Sequence, residues 1–472
     1  MNNLRKSKNE HKKRRRDFLY QSVAAAGLFS LSRPTWGSQS PQELMVGEGV
    51  VDITPPLGIE LAGFHRPPEN PRKIASIRQK SNVRALVLRQ QDVQVALVSL
   101  DIIAVSQEMA KRVQSEVERR TGIPASQIRI CATHTHSMPT FRYLRQWGAI
   151  SPEYMRKVEE DIVRSIELGI EDLAAAELLL GKAQTEGANF NRTTNVWKTD
   201  REFDSQSTDE DRWLDTTLHT LMFKRSGGKK DLLWYHFSAH PVCYTDDLAG
   251  PDWPGLVDQM VIESHHISPG YLQGHIGDVN PGDGRIWIGE AQQTATAVYK
   301  ALVSAIDGAQ SIDVDVFRSI SDRSLLPFDM ELLSEQVETY RKAPDQCSSG
   351  EWVDAAFSKE WFEAAEKWDR SMTTYSTPLS VLQLGPIGML FHSAELYSYY
   401  GLALRRDSGF QHTLCVGYSD DFVGYLTDPK AYTAHEYAAV VVPKLCDVPP
   451  FKREAAASFS TEAKTLLKKL LG

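Results

Sequence analysis

The feature that most constrains this chain is an alternation. Short apolar runs with strand character recur at residues 83–88, 93–100, 128–132, 232–237, 379–384 and 389–392. Helical periodicity occupies 107–121, 152–175, 289–306, 331–342 and 357–368. Strands alternating with helices predict an α/β fold: a mixed or parallel central sheet with flanking helices. In such sheets ligands bind beyond the carboxyl ends of strands. No repeat and no long Gly/Ser or Pro linker interrupts residues 39–472, which reads as a single large catalytic domain. With 42% hydrophobic and 24% charged residues, 472 residues are enough to bury a core of that size.

Charge removes several function classes. The chain holds 53 Lys and Arg against 61 Asp and Glu, a net charge of −8. Nine of the bases fall within residues 1–38, beside only Glu10 and Asp17. The remainder has 44 basic and 59 acidic residues, a net charge of −15. An acidic body argues against nucleic-acid partners and against adsorption to anionic lipid by charge. No apolar run reaches the ~18 residues of a spanning helix. At the N-terminus, Arg14-Arg15-Arg16-Asp17-Phe18-Leu19 precedes a mildly apolar stretch at 20–31. That pattern is similar to a bacterial twin-arginine signal and predicts residues 1–38 as an export segment. The partner is then the twin-arginine export machinery, and the location periplasmic or extracellular. Five unpatterned cysteines (131, 243, 347, 415 and 446) do not make a disulfide framework.

Five segments carry chemistry. Thr133-His134-Thr135-His136-Ser137 closes the strand beginning at Ile128. Positions i and i+2 of a strand share a face, so the two imidazoles are expected to project together as a metal site. A pair of hydrogen-bonded loop histidines is the alternative. His240-Pro241 ends the run at 232–237; alone it reads as a satisfied core histidine, and His236 as packing. Gly274-His275-Ile276-Gly277-Asp278-Val279-Asn280-Pro281-Gly282 is a ligand-approaching turn or a plain one. Glu395 follows the strand at 389–392 and opens a helical run, where a carboxylate is commonly a cap. The stretch 417–437 is dense in Tyr and Asp, and no physical rule singles out one tyrosine there.

In order, these segments resemble the neutral, non-lysosomal ceramidase family in its amino-terminal catalytic domain. The resemblance rests on Val51-Asp52-Ile53-Thr54-Pro55-Pro56, Leu61-Ala62-Gly63-Phe64, Val83-Arg84-Ala85 and Leu97-Val98-Ser99-Leu100-Asp101. It continues through Thr133–Ser137, Asn191-Arg192, His240-Pro241, Gly277–Pro281, Glu395, Gly424-Tyr425-Leu426 and Tyr437. It implies a zinc-dependent amidase with one Zn²⁺ held by His134, His240, Glu395 and Tyr425. It assigns His136 to substrate contact near the metal. Arg192 and Tyr437 match positions lining the site, Arg192 to hold a polar group and Tyr437 to donate to a developing oxyanion.

Two departures follow from the same resemblance. Asn280 stands where the family has a serine proposed to act at the zinc; an amide orients water or stabilises an oxyanion but is no nucleophile. The family's immunoglobulin-like carboxy-terminal domain is not expected within residues 39–472, where a helical stretch at 460–471 follows the last matching segment. The expected activity is zinc-assisted hydrolysis of an amide in an N-acylsphingosine or related N-acyl lipid. The alternatives are a zinc hydrolase of another ester, N-acyl or sugar-derived substrate, and a non-catalytic binding homologue. A second Ca²⁺ or Mg²⁺ has candidate carboxylates in Asp246, Asp247, Asp252, Asp420 and Asp421, which also read as solvated surface groups.

Overall fold

Tight turns and helical crossovers decide how the strands pair. The computed structural model describes residues 43–346 and 355–471; the expected export segment 1–38 and Cys347 lie outside them. Asn82–Gln90 turns back at Gln91 and Asp92 into Val93–Leu100, so the two are antiparallel. Gln91 takes the positive φ (54°) of a short hairpin turn. A crossover through the helix Gln107–Thr121 then lays Ile128–Ala132 parallel to Val93–Leu100. The same construction, through Trp253–His265, lays Gly270–Gln273 parallel to Leu232–Phe237.

The resulting sheet has nine strands. Their order runs Gly270–Gln273, Leu232–Phe237, Thr217–Arg225, Ala174–Gln184, Met45–Asp52, Asn82–Gln90, Val93–Leu100, Ile128–Ala132, with Gln310–Ile312 also paired to Ala174–Gln184. It is mixed: the two parallel pairs sit at its edges and every other pairing is antiparallel. The sheet curls until those edges touch. Ser99 Oγ donates to the Tyr271 carbonyl (2.6 Å), and Gln273 Nε2 to the Thr133 carbonyl (3.0 Å). The segments after Ala132 and after Phe237 therefore meet.

A second sheet, ordered Phe317–Pro327, Thr374–Leu384, Ile387–His392, His412–Val416, packs on one face of the first. Leu86, Leu88, Val95, Leu97 and Trp234 meet Leu382, Leu384, Met389, Phe391 and Leu414 between the sheets. The alternate residues Ala85, Val87, Ala96 and Val98 face the helices Gln107–Thr121 and Pro152–Glu171. Trp253–His265 and Ala291–Asp307 cover the other half of that outer face. Ser398–Asp407 and Ala455–Leu471 cover the second sheet. Where both faces are buried, as along residues 83–88 and Ile387–His392, strands read as largely apolar runs instead of alternating ones.

The helix expected over 152–175 stops at Glu171, and Ala174–Gln184 is a strand. Its Ala, Leu and Glu favour helix intrinsically. The ladder with Thr217–Arg225 along nine residues overrides that preference.

Candidate metal centre

The histidines converge because two loops are stitched together. The strand Ile128–Ala132 ends before His134, which adopts a left-handed backbone (φ 64°). The strand alternation expected to carry both imidazoles thus does not reach them; a turn brings them together instead. The His134 N–H donates to the Ile102 carbonyl, and the His136 N–H to the carbonyl of Pro241, next to His240. The ring centroids of His134, His136 and His240 lie 5.0 to 5.7 Å apart, and all three residues are buried. One ligand nitrogen from each falls within 4.8 Å of the others, so this triad can hold a metal ion.

Each ring has its tautomer fixed from behind. Nδ1 of His134 bonds the Ile103 carbonyl (2.8 Å), that of His136 the Gly63 carbonyl (2.7 Å), and that of His240 the Val279 carbonyl (2.8 Å). A carbonyl only accepts, so each Nδ1 carries the proton and each Nε2 a lone pair. The Nε2 atoms of His136 and His240 are buried with no hydrogen-bond partner. Gly63 is required here: a Cβ would come within 2.7 Å of the His136 ring.

Glu395 points into the same space. Its Oε2 lies 3.5 Å from His134 Nε2 and 3.3 Å from His240 Nε2. A carboxylate oxygen facing two lone pairs in a buried site calls for a cation among them. The short parallel pair Ala394–Leu396 and Gly424–Leu426 sets Tyr425 directly beside Glu395.

The Gly277–Gly282 turn supports this arrangement. A Cβ on Gly277 would lie 2.5 Å from the Glu395 carbonyl. Asp278 accepts from the Ser398 N–H and Oγ (both 2.8 Å) and from Asn191 Nδ2 (2.8 Å), which fixes the helix start just after Glu395. Arg192 donates to the Gly277 carbonyl (2.7 Å), the Tyr425 hydroxyl (2.5 Å) and Asn280 Oδ1 (3.2 Å). Burial disfavours its charge, but Tyr425 and Glu395 outweigh that and keep the guanidinium protonated. Tyr437 opens the short helix Tyr437–Val440; burial, then the proximity of Tyr425 and Glu395, pushes its phenol well above the ordinary range. Burial, with His134 and His240 adding to it, leaves His136 well below the usual imidazole range.

All eight site residues expected from sequence thus lie in one region. His136, expected as a substrate contact, also has its nitrogen within the triad. Tyr418 was not anticipated: its ring stacks on His134 (4.2 Å between centroids) and its hydroxyl donates to Glu395 Oε2 (3.3 Å). Only its place in the Tyr-rich run 417–437 hinted at it. His236 bonds the Cys415 carbonyl (2.9 Å), away from the triad.

The five carboxylates considered for a second cation each have protein partners. Asp246 pairs with Arg78, Asp247 faces Arg72, and Asp252 caps a helix at Trp253. Asp420 pairs with Arg129, and Asp421 accepts from Tyr375 and Thr377. No helix among the described residues is long and apolar enough to cross a membrane.

Comparisons with known proteins converge on this architecture. The family described as neutral/alkaline non-lysosomal ceramidase, N-terminal, matches residues 44–265. The neutral ceramidase of Pseudomonas aeruginosa superposes with a TM-score of 0.68 at 17% identity, over 91% of this chain and 75% of that one. A ceramidase complexed with C2 superposes over the same shares, with a TM-score of 0.67 at 17% identity.

Proposed function

We propose, from the premise that this chain belongs to the neutral/alkaline non-lysosomal ceramidase family through its residues 44–265, that it is a zinc-dependent hydrolase of an amide bond in an N-acyl lipid. One observation carries the reading: two buried Nε2 lone pairs and a Glu395 oxygen face one another at 3.3 and 3.5 Å. His134, His240, Glu395 and Tyr425 would hold the ion, a donor set of two imidazoles, a carboxylate and a phenol oxygen that suits Zn²⁺. A zinc ion there supplies Lewis acidity, polarising the amide carbonyl and letting water ionise near pH ~7.

The chain's own residues do the rest. His136 is neutral with a free Nε2, so it accepts a proton from attacking water and returns it to the leaving amine. Tyr437 keeps its phenolic proton and donates it as a hydrogen bond to the developing oxyanion. Arg192 remains charged; it steadies Tyr425 and holds a polar group of the substrate. On the same reading, residues 1–38 are a twin-arginine signal that delivers the 39–472 hydrolase out of a bacterial cytoplasm.

The test is hydrolysis of N-acylsphingosines beside N-acyl amides of other amines and matched esters. Amide cleavage lost on His240→Ala together with bound metal is expected. Full activity in a metal-free variant overturns the reading.

A further inference from the structure

Asn280 sits one residue beyond the carbonyl that fixes the His240 tautomer, yet neither end of its amide is free. Oδ1 accepts from Arg192 Nη1 (3.2 Å), and Nδ2 donates to the Trp287 carbonyl (2.5 Å). A guanidinium only donates and a carbonyl only accepts, so the two partners fix which way the amide points. In the antiparallel pair Asn189–Asn191 and Val279–Pro281, Asn280 stands opposite Phe190. The Phe190 ring meets Trp197 (6.1 Å) and Trp287 (6.4 Å). Trp287 belongs to loop 282–289, whose start is held by the Gly282 N–H on the Ala188 carbonyl and whose last residues close in a turn with the Gly289 N–H on the Ile286 carbonyl. The loop shows an apolar face to solvent, with Ile286 51% and Trp287 55% exposed.

We propose that Asn280 is a positioning residue. Its amide couples the Arg192 guanidinium to loop 282–289, which sets the aromatic wall of Phe190, Trp197 and Trp287 at a fixed place beside the polar centre. On the N-acyl amide reading above, on which this clause rests, the apolar portion of the substrate packs against that wall. A serine hydroxyl can donate and accept, but one bond shorter, and with one oxygen in place of the amide's separate O and N, it does not reach both partners where they stand. Aspartate keeps the acceptor for Arg192 and loses the donor for Trp287. Alanine loses both.

Arg285 lies in the middle of the loop with its side chain exposed, which gives a readout independent of activity. Limited trypsin digestion of the full chain, followed by mass spectrometry, measures cutting at the Arg285–Ile286 bond. Asn280→Ala, Asn280→Ser and Asn280→Asp are expected to be cut about tenfold faster than wild type, the scale of one lost hydrogen bond. Asn280→Asp is further expected to raise KM for a long-chain amide about tenfold more than KM for a short-chain amide. Asn280→Ala is expected to lose kcat as well. Wild-type cutting rates in the alanine and aspartate variants overturn the proposal, as does a serine variant with kcat at or above wild type. Should the protein hydrolyse no amide at all, the functional reading falls, and the cutting rates still decide the coupling.

Discussion

Glu395 and Tyr425 stand side by side because they are register partners on two parallel three-residue strands, Ala394–Leu396 and Gly424–Leu426. The Tyr425 hydroxyl lies between Glu395 and Arg192, so it joins the carboxylate to the guanidinium. Tyr425→Phe removes the atom both neighbours use. Zinc affinity in that variant, measured by competition with a chromophoric chelator, is expected to fall at least 10- to 100-fold, the range for losing a partner of a metal ligand. Unchanged affinity would remove Tyr425 from the centre.

Asp278 is a structural prerequisite of the same centre. Asp278→Ala leaves the Ser398 N–H and one of the two Asn191 Nδ2 protons buried without an acceptor, the other still bonding the Trp213 carbonyl. At roughly 1–3 kcal/mol per orphaned group, a loss of about 3 kcal/mol is expected. Urea titration checks it, and a midpoint equal to wild type would contradict it.

Gly63→Ala probes His136 from behind. The added methyl would meet the ring at 2.7 Å, forcing it off its carbonyl partner. A displacement of ~1 Å at a catalytic group costs on the order of 10²-fold in rate. The variant should therefore keep its metal and lose about that factor in kcat.

Acid should weaken the fold through histidines outside the centre. Burial holds His236 at about 4 and His392 at about 3, below the ordinary 6.5. A depressed folded-state pKa means the unfolded chain binds protons first. Stability is fully present above pH ~6.5 and falls as pH drops toward 4. At 1.36 kcal/mol per unit, His236 accounts for about 3 kcal/mol of that fall. His236→Gln, which keeps a donor for the Cys415 carbonyl, should flatten the slope of urea stability between pH 6.5 and 4. An unaltered slope would show that His236 does not titrate with unfolding.

Much of this was legible in the sequence, for definable reasons. Val93–Leu100, Ile128–Ala132 and Leu232–Phe237 are largely buried on both faces, so predominantly apolar runs mark their limits. His134 and His240 stand just past such runs and were readable as strand-end groups. Ala174–Gln184 was not readable, because its residues favour helix and only its neighbours make it a strand. The pairing of Glu395 with Tyr425 spans a long sequence interval and depends on register; family resemblance supplied it and residue patterns did not. Tyr418 acts by stacking on His134, a contact that leaves no trace in spacing. Asp278 looked like an ordinary turn residue because its partners, Asn191 and Ser398, are remote in sequence.

The central claim is that the His134, His240, Glu395 and Tyr425 cluster holds zinc. Elemental analysis of the folded protein, purified without added metal, tests it most directly, with His240→Ala analysed in parallel. The account predicts close to one zinc per wild-type chain and none in the variant. A folded wild-type protein that carries no zinc, and takes up none when it is supplied, would contradict it.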